Sequence, residues 1–440
     1  MNKNKFDKEN MNSKTILLMM IVITTFIGIN AQPKNDTLEK LILYAIDVSP
    51  KIKLLESKIK VAGSKIEQST NLPDPMLTLG LVNMPTNTFS FSQEPMTGKI
   101  IGLTQAFPFP GGLTTKAEVI AMDTLIVAQE LQDAKNEIRK NISNLYYDLQ
   151  LVREEIILTV ESKNLLNHIS EIVKRKYEVS KASLQNIIQV EVQISKKDDI
   201  IATLNGNENA IVSELNALLF RDENSSIFTN RFIPILASKY SAKSLIEVAN
   251  EYRPFLRGIQ IALQKAELME KSANYLYSPN FQIGVQYTQR DYSQVNEQNW
   301  GDFFSVIIGI SLPLNYGGKY SAAINEAKYL QSLYREQFNS SVQLLNQSFG
   351  KITSKLNELQ TRKILITQKR LPQAEQSIEA SLTDYQAGRI DFINVISAES
   401  EILKIKTELL KIEIEYIKNI VLLEFLAGKE QIVMENNNDK

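Results

Sequence analysis

The segment Pro75-Met-Leu-Thr-Leu-Gly-Leu81 is repeated 204 residues later as Pro279-Asn-Phe-Gln-Ile-Gly-Val285. In each copy, large apolar residues alternate with small or polar ones, and this period of two predicts a β-strand with one apolar face. Pro50 and Pro254 stand at the same separation. A duplication that keeps the two faces of a strand in phase predicts two structurally equivalent units in one chain.

Each of these strands is followed by a second alternating segment, at 99–107 in the first copy and at 302–312 in the second. We therefore predict β-hairpins at about 76–107 and 281–314. Such segments, about ten residues long with one apolar face, suit a membrane barrel, although two half-buried hairpins of a soluble sheet would show the same alternation. Four strands are too few to close a barrel, since about eight is the smallest number known. A membrane interpretation therefore requires several identical chains to share one barrel.

A corner rich in proline and glycine follows each hairpin and predicts a direct turn from strand into helix. The corner residues are Pro108, Pro110, Gly111 and Gly112 in the first copy and Pro313, Gly317 and Gly318 in the second. After each corner, apolar residues recur at steps of three and four, from Ile138 in the first copy and from Leu345, 207 residues later, in the second. This spacing predicts long helical hairpins at 112–219 and 318–427 that pack with a left-handed twist. Pro372 is expected to kink its helix or to mark a joint.

The two helical hairpins reverse direction at related sequences. Tyr177, Ser180, Ser183 and Asn186 correspond, 208 residues later, to Tyr385, Gly388, Asp391 and Asn394. Gly388 suits the C-cap of a helix, where the backbone is left-handed. Ser183 and Asp391 suit the first turn of the returning helix.

The composition excludes most catalytic chemistry. The chain of 440 residues has no cysteine, a single histidine (His168) and a formal net charge of −1. The absence of cysteine excludes disulfides, thiolate metal sites and cysteine nucleophiles. We expect no enzyme activity, no cofactor, no metal site and no binding of nucleic acid.

The N-terminus has the order of a secretory signal peptide, with lysines before an apolar run at 16–29 and Ala31 as the last residue removed. The run has 14 residues, whereas a helix needs about 20 to span a bilayer, so we expect export rather than anchoring. The predicted organisation is a signal peptide at 1–31, a first repeat at 32–219, a connector at 220–240, a second repeat at 241–428 and a disordered tail at 429–440.

In their order and joint spacing, these features resemble the TolC-like outer membrane factors over nearly all of the mature chain. The resemblance implies a mainly α fold with a small β part, in which each chain gives four strands to a trimeric, twelve-stranded outer-membrane β-barrel continued by an α-helical barrel. It also implies a passive export duct in the outer membrane with a long periplasmic portion, working with a periplasmic adaptor (membrane fusion protein) and an inner-membrane pump. The alternative is a periplasmic adaptor or a secreted coiled-coil structural protein, which would carry one helical hairpin rather than two.

Four segments resemble the heavy-metal efflux branch of that family, the CzcC- and CusC-like proteins. They are Leu72-Pro-Asp-Pro-Met-Leu77, Asn83-Met-Pro85, Met96-Thr-Gly-Lys99 and Gln105-Ala-Phe-Pro-Phe-Pro-Gly111. The resemblance implies metal cations as the candidate cargo. Met76, Met84 and Met96 are then either soft-metal contacts or packing residues near the strands.

The resemblance also implies acidic rings that narrow the periplasmic mouth just after the second reversal. By position these rings fall on Asn394 and Ser397, which are not acidic. Asp391 and Asp384 are the candidate replacements, because a threefold repeat would concentrate negative charge in the mouth; alternatively, Asp391 only caps its helix. The candidate gate and adaptor-contact residues are Tyr385, Gly388, Arg389, Asp391, Asn394 and Asp384, with Tyr177, Ser180, Ser183 and Asn186 at the equivalent tip. If one copy carries the gate, we expect it to be the second.

Overall fold

The computed structural model describes residues 37–230, 232, 240–293 and 297–430. The predicted signal peptide lies outside the described residues, as do most of the connector after residue 230 and residues 431–440 of the predicted tail. Within the described part of the chain, each repeat has the predicted order of helices, β-hairpin, corner and helical hairpin.

The first repeat consists of α1 (Leu38–Val48), α2 (Pro50–Thr70), β1 (Met76–Val82), β2 (Gly98–Phe107), α3 (Gly112–Glu178) and α4 (Leu184–Leu218). The second consists of α5 (Ala242–Tyr252), α6 (Pro254–Asn274), β3 (Phe281–Gln289), β4 (Phe303–Ile310), α7 (Lys319–Leu365), α8 (Leu371–Ala387) and α9 (Phe392–Ala427). A π-turn (Ile366–Arg370) joins α7 to α8. The first hairpin is α3 with α4, and the second hairpin is α7, the π-turn, α8 and α9.

The four strands form one antiparallel sheet in chain order, so the two predicted β-hairpins pair with each other. The register places Leu79 opposite Ile101, Ile101 opposite Tyr287, and Tyr287 opposite Phe304. Because directly opposed side chains share a face of the sheet, the apolar sides of all four strands coincide. Within the described residues, β1 and β4 are the edge strands.

The shared apolar side of the sheet, which we term the apolar sheet face, is open to the surroundings. Its central side chains are 41–72% exposed: Leu77, Leu79, Leu81, Ile101, Leu103, Ile283, Val285, Tyr287, Val306 and Ile308. The opposite face carries a row of small and polar residues that includes Thr78, Gln286 and Ser305. Soluble monomers rarely expose a contiguous apolar patch larger than a few hundred Å². The apolar sheet face is therefore unlike an ordinary water-facing surface.

Glycines with a left-handed backbone lie at both strand-to-helix corners. Gly111 has a φ of 92°, and a β-carbon on it would lie 2.6 Å from the hydroxyl of Tyr275. Gly317 and Gly318 also have positive φ, at 68° and 77°. Glycine is needed at Gly111 for two reasons, because the backbone is left-handed and because the neighbouring tyrosine approaches closely.

The long helices extend far beyond the width of a compact domain. Helix α3 has 67 residues, which corresponds to about 100 Å at 1.5 Å per residue. Among the described helices, none combines the length and the apolar character that crossing a membrane would need. One apolar cluster joins α3 to α1 and α4 through Ile142 and Leu149, and another packs α5 against the second hairpin. A third contains residues of both hairpins and lies close to the reversals.

The joint expected at Pro372 is a π-turn within a continuous helix. Proline lacks an N–H and collides with the carbonyl four residues earlier, and the π-turn immediately before Pro372 widens the helix there. Thr159 and Ile366 are both buried and lie 207 residues apart, whereas Leu166 and Ala374 are both buried and lie 208 apart. The second repeat therefore has one additional residue, which the wider turn absorbs.

Candidate functional site: the two helical reversals

The second hairpin reverses at Gly388, whose φ of 76° is left-handed. The Gly388 N–H donates to the carbonyl of Tyr385 at 3.0 Å, and the Arg389 N–H donates to the carbonyl of Asp384 at 2.8 Å. This pair of bonds is a Schellman motif, which satisfies the last carbonyls of α8. Gly388 therefore lies where a helix C-cap favours glycine.

The first hairpin makes the same turn without a glycine. Ser180 has a φ of 57°, and its N–H donates to the carbonyl of Tyr177 at 2.9 Å. The Lys181 N–H donates to the carbonyl of Lys176 at 2.8 Å. A left-handed residue that is not glycine costs about 1–2 kcal/mol. The two reversals thus share a geometry, and the first one maintains it against backbone strain.

Ser183 and Asp391 are the N-cap residues of the returning helices α4 and α9. The Ser183 hydroxyl donates to the side-chain oxygen of Asn186 at 3.2 Å, and the Asn394 N–H donates to the main-chain carbonyl of Asp391 at 3.1 Å. The Asp391 side chain makes no capping hydrogen bond. Its exposed carboxylate therefore adds negative charge at the tip, next to the positive end of α9.

Asp384 is the other candidate acid of the second reversal. Its carboxylate lies 3.2 Å from the guanidinium of Arg389, with the two side chains 40% and 73% exposed. Such a pair contributes little to stability, but the cation offsets the charge of Asp384. Asp391 and Asp384 therefore differ in the negative charge that they present to solvent.

Tyr385 is buried between the two hairpins. The Lys176 ammonium lies 4.5 Å from the centre of the Tyr385 ring and donates a hydrogen bond to the Tyr385 main-chain carbonyl. The Phe392 ring packs against the Tyr385 ring, with centroids 5.3 Å apart. Burial raises the pKa of the Tyr385 hydroxyl, and the neighbouring Asn186 side chain partly offsets the rise. Tyr177, the equivalent tyrosine of the first reversal, is exposed.

A buried ion pair joins the hairpins further from the tip. The Lys197 ammonium of α4 lies 3.3 Å from the carboxylate of Glu399 on α9, with side chains only 7% and 1% exposed. The hydroxyl of Ser162 on α3 donates to the same carboxylate. Three long helices are thus tied together by one buried, charged group.

Comparison with known proteins gives a family match for part of the chain and a fold for most of it. Residues 245–429, most of the second repeat, match the family model of the outer membrane efflux proteins. The solved structure of the outer membrane protein VceC from Vibrio cholerae matches with a TM-score of 0.72 and 16% identity, over 89% of this chain and 96% of that chain. The chain has the fold of the TolC-like outer membrane factors.

Two further structures resemble the chain along most of its length. CusC matches with a TM-score of 0.69 and 16% identity, over 90% of this chain and 93% of that chain. The MtrE outer membrane channel of Neisseria gonorrhoeae, solved in its open state, matches with a TM-score of 0.69 and 13% identity, over 89% of each chain. No curated protein sequence matches the chain significantly. At these identities the structural likeness establishes the fold.

The methionines considered as a soft-metal path lie at opposite ends of the sheet. Met76 begins β1, whereas Met84 follows the end of that strand and Met96 precedes β2. A strand of seven residues spans about 20 Å. Met76 is therefore separated from the other two by about the length of the strand.

The sequence analysis did not identify the lysines that hold the two hairpins together. Lys176 has Asp384 at the equivalent position of the second hairpin, so the repeat offered no sign of its contact with Tyr385. Glu399 did carry a signal, because it follows Phe392 and Ile396 at helical steps of four and three. An acid in that apolar series predicts a buried, paired charge.

Proposed function

We propose that the chain is an outer membrane factor, three copies of which form the outer-membrane channel of an efflux system. In this assembly the four-stranded sheets join into one twelve-stranded barrel, and the helical hairpins continue the duct through the periplasm. The observation that supports this proposal most strongly is the apolar sheet face, which runs across all four strands and is largely exposed. Export through the predicted signal peptide would bring the mature chain to the outer membrane.

The edges of the sheet support a shared barrel. An edge strand presents unpaired N–H and C=O groups, and each unsatisfied group in hydrocarbon costs several kcal/mol. Pairing β4 of one copy with β1 of the next would satisfy both edges. A periplasmic adaptor or secreted coiled-coil protein would instead leave the apolar sheet face in water, where it would promote aggregation.

The second reversal is the proposed periplasmic gate. Tyr385 holds it against the first hairpin of the same chain through burial and through Lys176. Three copies of Asp391 around a threefold axis would give the mouth a negative potential that favours cations. The exposed residues of both tips are the proposed contacts for a periplasmic adaptor, which in turn would bind an inner-membrane pump.

Heavy-metal cations are the proposed cargo, on the strength of the segments at 72–77 and 105–111. The fold itself does not separate this branch from others, because CusC and VceC match at the same 16% identity. If metal cations are the cargo, loss of the gene should sensitise cells to metal salts more than to organic drugs. Equal sensitisation to both would argue against the metal branch.

A pair of lysine substitutions on opposite faces of β4 tests the membrane barrel. Ile308 lies on the apolar sheet face and is 72% exposed, whereas Ser305 lies on the opposite, polar face. A lysine facing lipid near the bilayer midplane costs about 2–4 kcal/mol. We expect Ile308→Lys to reduce the amount of folded channel in outer membranes, and the control Ser305→Lys to leave it close to wild type. Equal insertion of the two variants would contradict a lipid-facing role.

A further inference from the structure

A cavity of about 560 Å³ lies between the two repeats, beside the first half of α3. Helices α2 and α3 of the first repeat and helices α6 and α7 of the second supply its lining. Ligand pockets are typically about 300–1,000 Å³ in volume and combine a mostly apolar wall with a few polar groups. The cavity, which we term the inter-repeat cavity, therefore has the size to hold a small organic molecule.

Much of the wall of the inter-repeat cavity is apolar. Four of its side chains are only 4–8% exposed: Leu55, Ala134, Ile259 and Ala262. Phe255 lines the same cavity but is 44% exposed. An aromatic ring in a bound ligand would pack against Phe255 and remove part of this apolar surface from water.

The charged groups around the cavity are mostly negative. Four carboxylates and two ammonium groups line it. Two of the carboxylates are neutralised by these ammonium groups, because Asp123 lies 2.6 Å from Lys265 and Glu137 lies 2.6 Å from Lys51. Two carboxylates therefore remain without a cation.

The remaining acids are Glu130 and Asp133, which lie between the two ion pairs along α3 and form no ion pair within the described part of the chain. The Oδ1 atom of Asp133 is buried and has no hydrogen-bond partner. Burial raises the pKa of Asp133, and the charge of Arg253 partly offsets the rise. Arg253 itself donates to the main-chain carbonyl of Leu426 and does not line the cavity. An acceptor that is removed from water without a partner favours a ligand that can donate to it.

An ammonium group fits these two acids better than a metal ion does. Residues three apart on a helix are neighbours, and an ammonium group has three N–H donors with which to reach both carboxylates. Within the described residues, no group of three or more histidine, cysteine, aspartate or glutamate side chains is placed to hold a metal ion. The charges and the apolar wall together specify an amine that carries an aromatic or aliphatic group.

We infer that the inter-repeat cavity binds a small organic cation, with its ammonium group on Asp133 and Glu130 and its apolar part against Phe255. The inference goes beyond the proposed function, and the whole lining of the cavity comes from one chain. A bound cation would contact α3 of the first repeat and α6 of the second. Because it binds only the folded chain, it would also stabilise the fold.

Three probes that share one ring system test the requirement for positive charge. They are naphthylmethylamine, which is a cation at neutral pH, the neutral naphthylmethanol and the anion naphthylacetate. Each is titrated with the full-length mature protein in detergent, and binding is followed by the fluorescence anisotropy of the naphthalene ring. We expect the amine to bind at least about 10-fold more tightly than the alcohol, because a hydrogen bond to a charged group contributes about that factor or more. Equal affinity for the amine and the alcohol, or no binding of the amine, would overturn the inference.

Two variants of α3 separate a local contact from a general change in charge. Asp133→Asn should weaken binding of the amine about 10-fold or more and leave binding of the alcohol unchanged. The matched control, Asp148→Asn, removes the same charge from the same helix, at a carboxylate that lies 2.7 Å from Lys418 and outside the cavity. The control should leave both affinities unchanged. An equal loss of amine binding in the two variants would contradict the role of Asp133.

A third variant, Phe255→Ala, tests the apolar wall without altering a charge. It should weaken the amine and the alcohol to a similar extent, because it removes an apolar contact that both probes make. Unchanged binding of both probes would overturn the cavity as their site. Since one chain supplies the whole lining, these titrations do not depend on how many chains form a channel. Failure of the amine to bind would leave the proposed channel standing, and a soluble monomer that bound the amine would refute only the channel.

Discussion

Replacing Lys197 by methionine should destabilise the helical hairpins much more than loss of an exposed ion pair does. The Lys197 ammonium lies 3.3 Å from Glu399, with side chains 7% and 1% exposed. At this distance and an effective dielectric constant of about 20, the attraction is about 5 kcal/mol. Removing one partner of a buried pair costs about 3–5 kcal/mol, because the other charge stays buried.

The assay is thermal unfolding of the detergent-solubilised protein, followed by the helical circular dichroism signal. Lys51→Met is the matched control, because Lys51 and Glu137 lie 2.6 Å apart but are 58% and 41% exposed. Exposed pairs contribute about 0–1 kcal/mol. Adding Glu399→Gln to Lys197→Met should recover much of the lost stability, because glutamine carries no charge and still accepts a hydrogen bond. Equal melting of the Lys197→Met and Lys51→Met variants, or no recovery in the double variant, would refute a buried ion pair.

Three further predictions concern the corner, the mouth and the response to acid. Gly111→Ala should reduce the yield of folded protein, because an alanine in its left-handed backbone costs at least about 1 kcal/mol. The control Gly112→Ala should not reduce the yield, because no atom lies within 4 Å of the added carbon. Equal yields of the two variants would contradict the corner geometry. Asp391→Asn should lower the cation preference of single channels at low salt more than Asp384→Asn does, and an unchanged preference would leave Asp391 as a helix cap. A hydrogen bond from Arg139 lowers the pKa of Glu39 from the ordinary 4.5. The contribution of this hydrogen bond to the stability of the fold is therefore present above that pH and is lost as the pH falls below it. Glu39→Gln should flatten this acid loss in melting experiments, and an unchanged profile would exclude the contribution.

Periodicity was sufficient to predict the strands and the long helices. A slip of one residue would move the whole apolar side of β1 to the other face, so the common phase of Leu79 and Ile283 determined the orientation of both hairpins. The strands run over 76–82, 98–107, 281–289 and 303–310, within the predicted hairpins. The change of repeat offset from 207 to 208 was also present in the sequence, but its geometric cause, the π-turn, was not.

Contacts between the hairpins could not be predicted from the sequence, for a physical reason. Lys176 and Tyr385 are more than 200 residues apart, and nothing local selects which turn of α3 faces the second reversal. The repeat itself was misleading here, because it equates Lys176 with an aspartate. Glu399 was visible as an acid in an apolar series, yet its partner Lys197 sits among ordinary surface charges of α4. Side chains that join distant segments therefore needed the fold.

We propose that three chains close one barrel from sheets whose apolar face is exposed. Native mass spectrometry of the full-length mature protein, extracted from outer membranes in detergent, measures the number of chains directly. We expect a complex of three chains, recovered in the membrane fraction. A soluble periplasmic monomer, or a membrane complex with a different number of chains, would contradict the shared barrel.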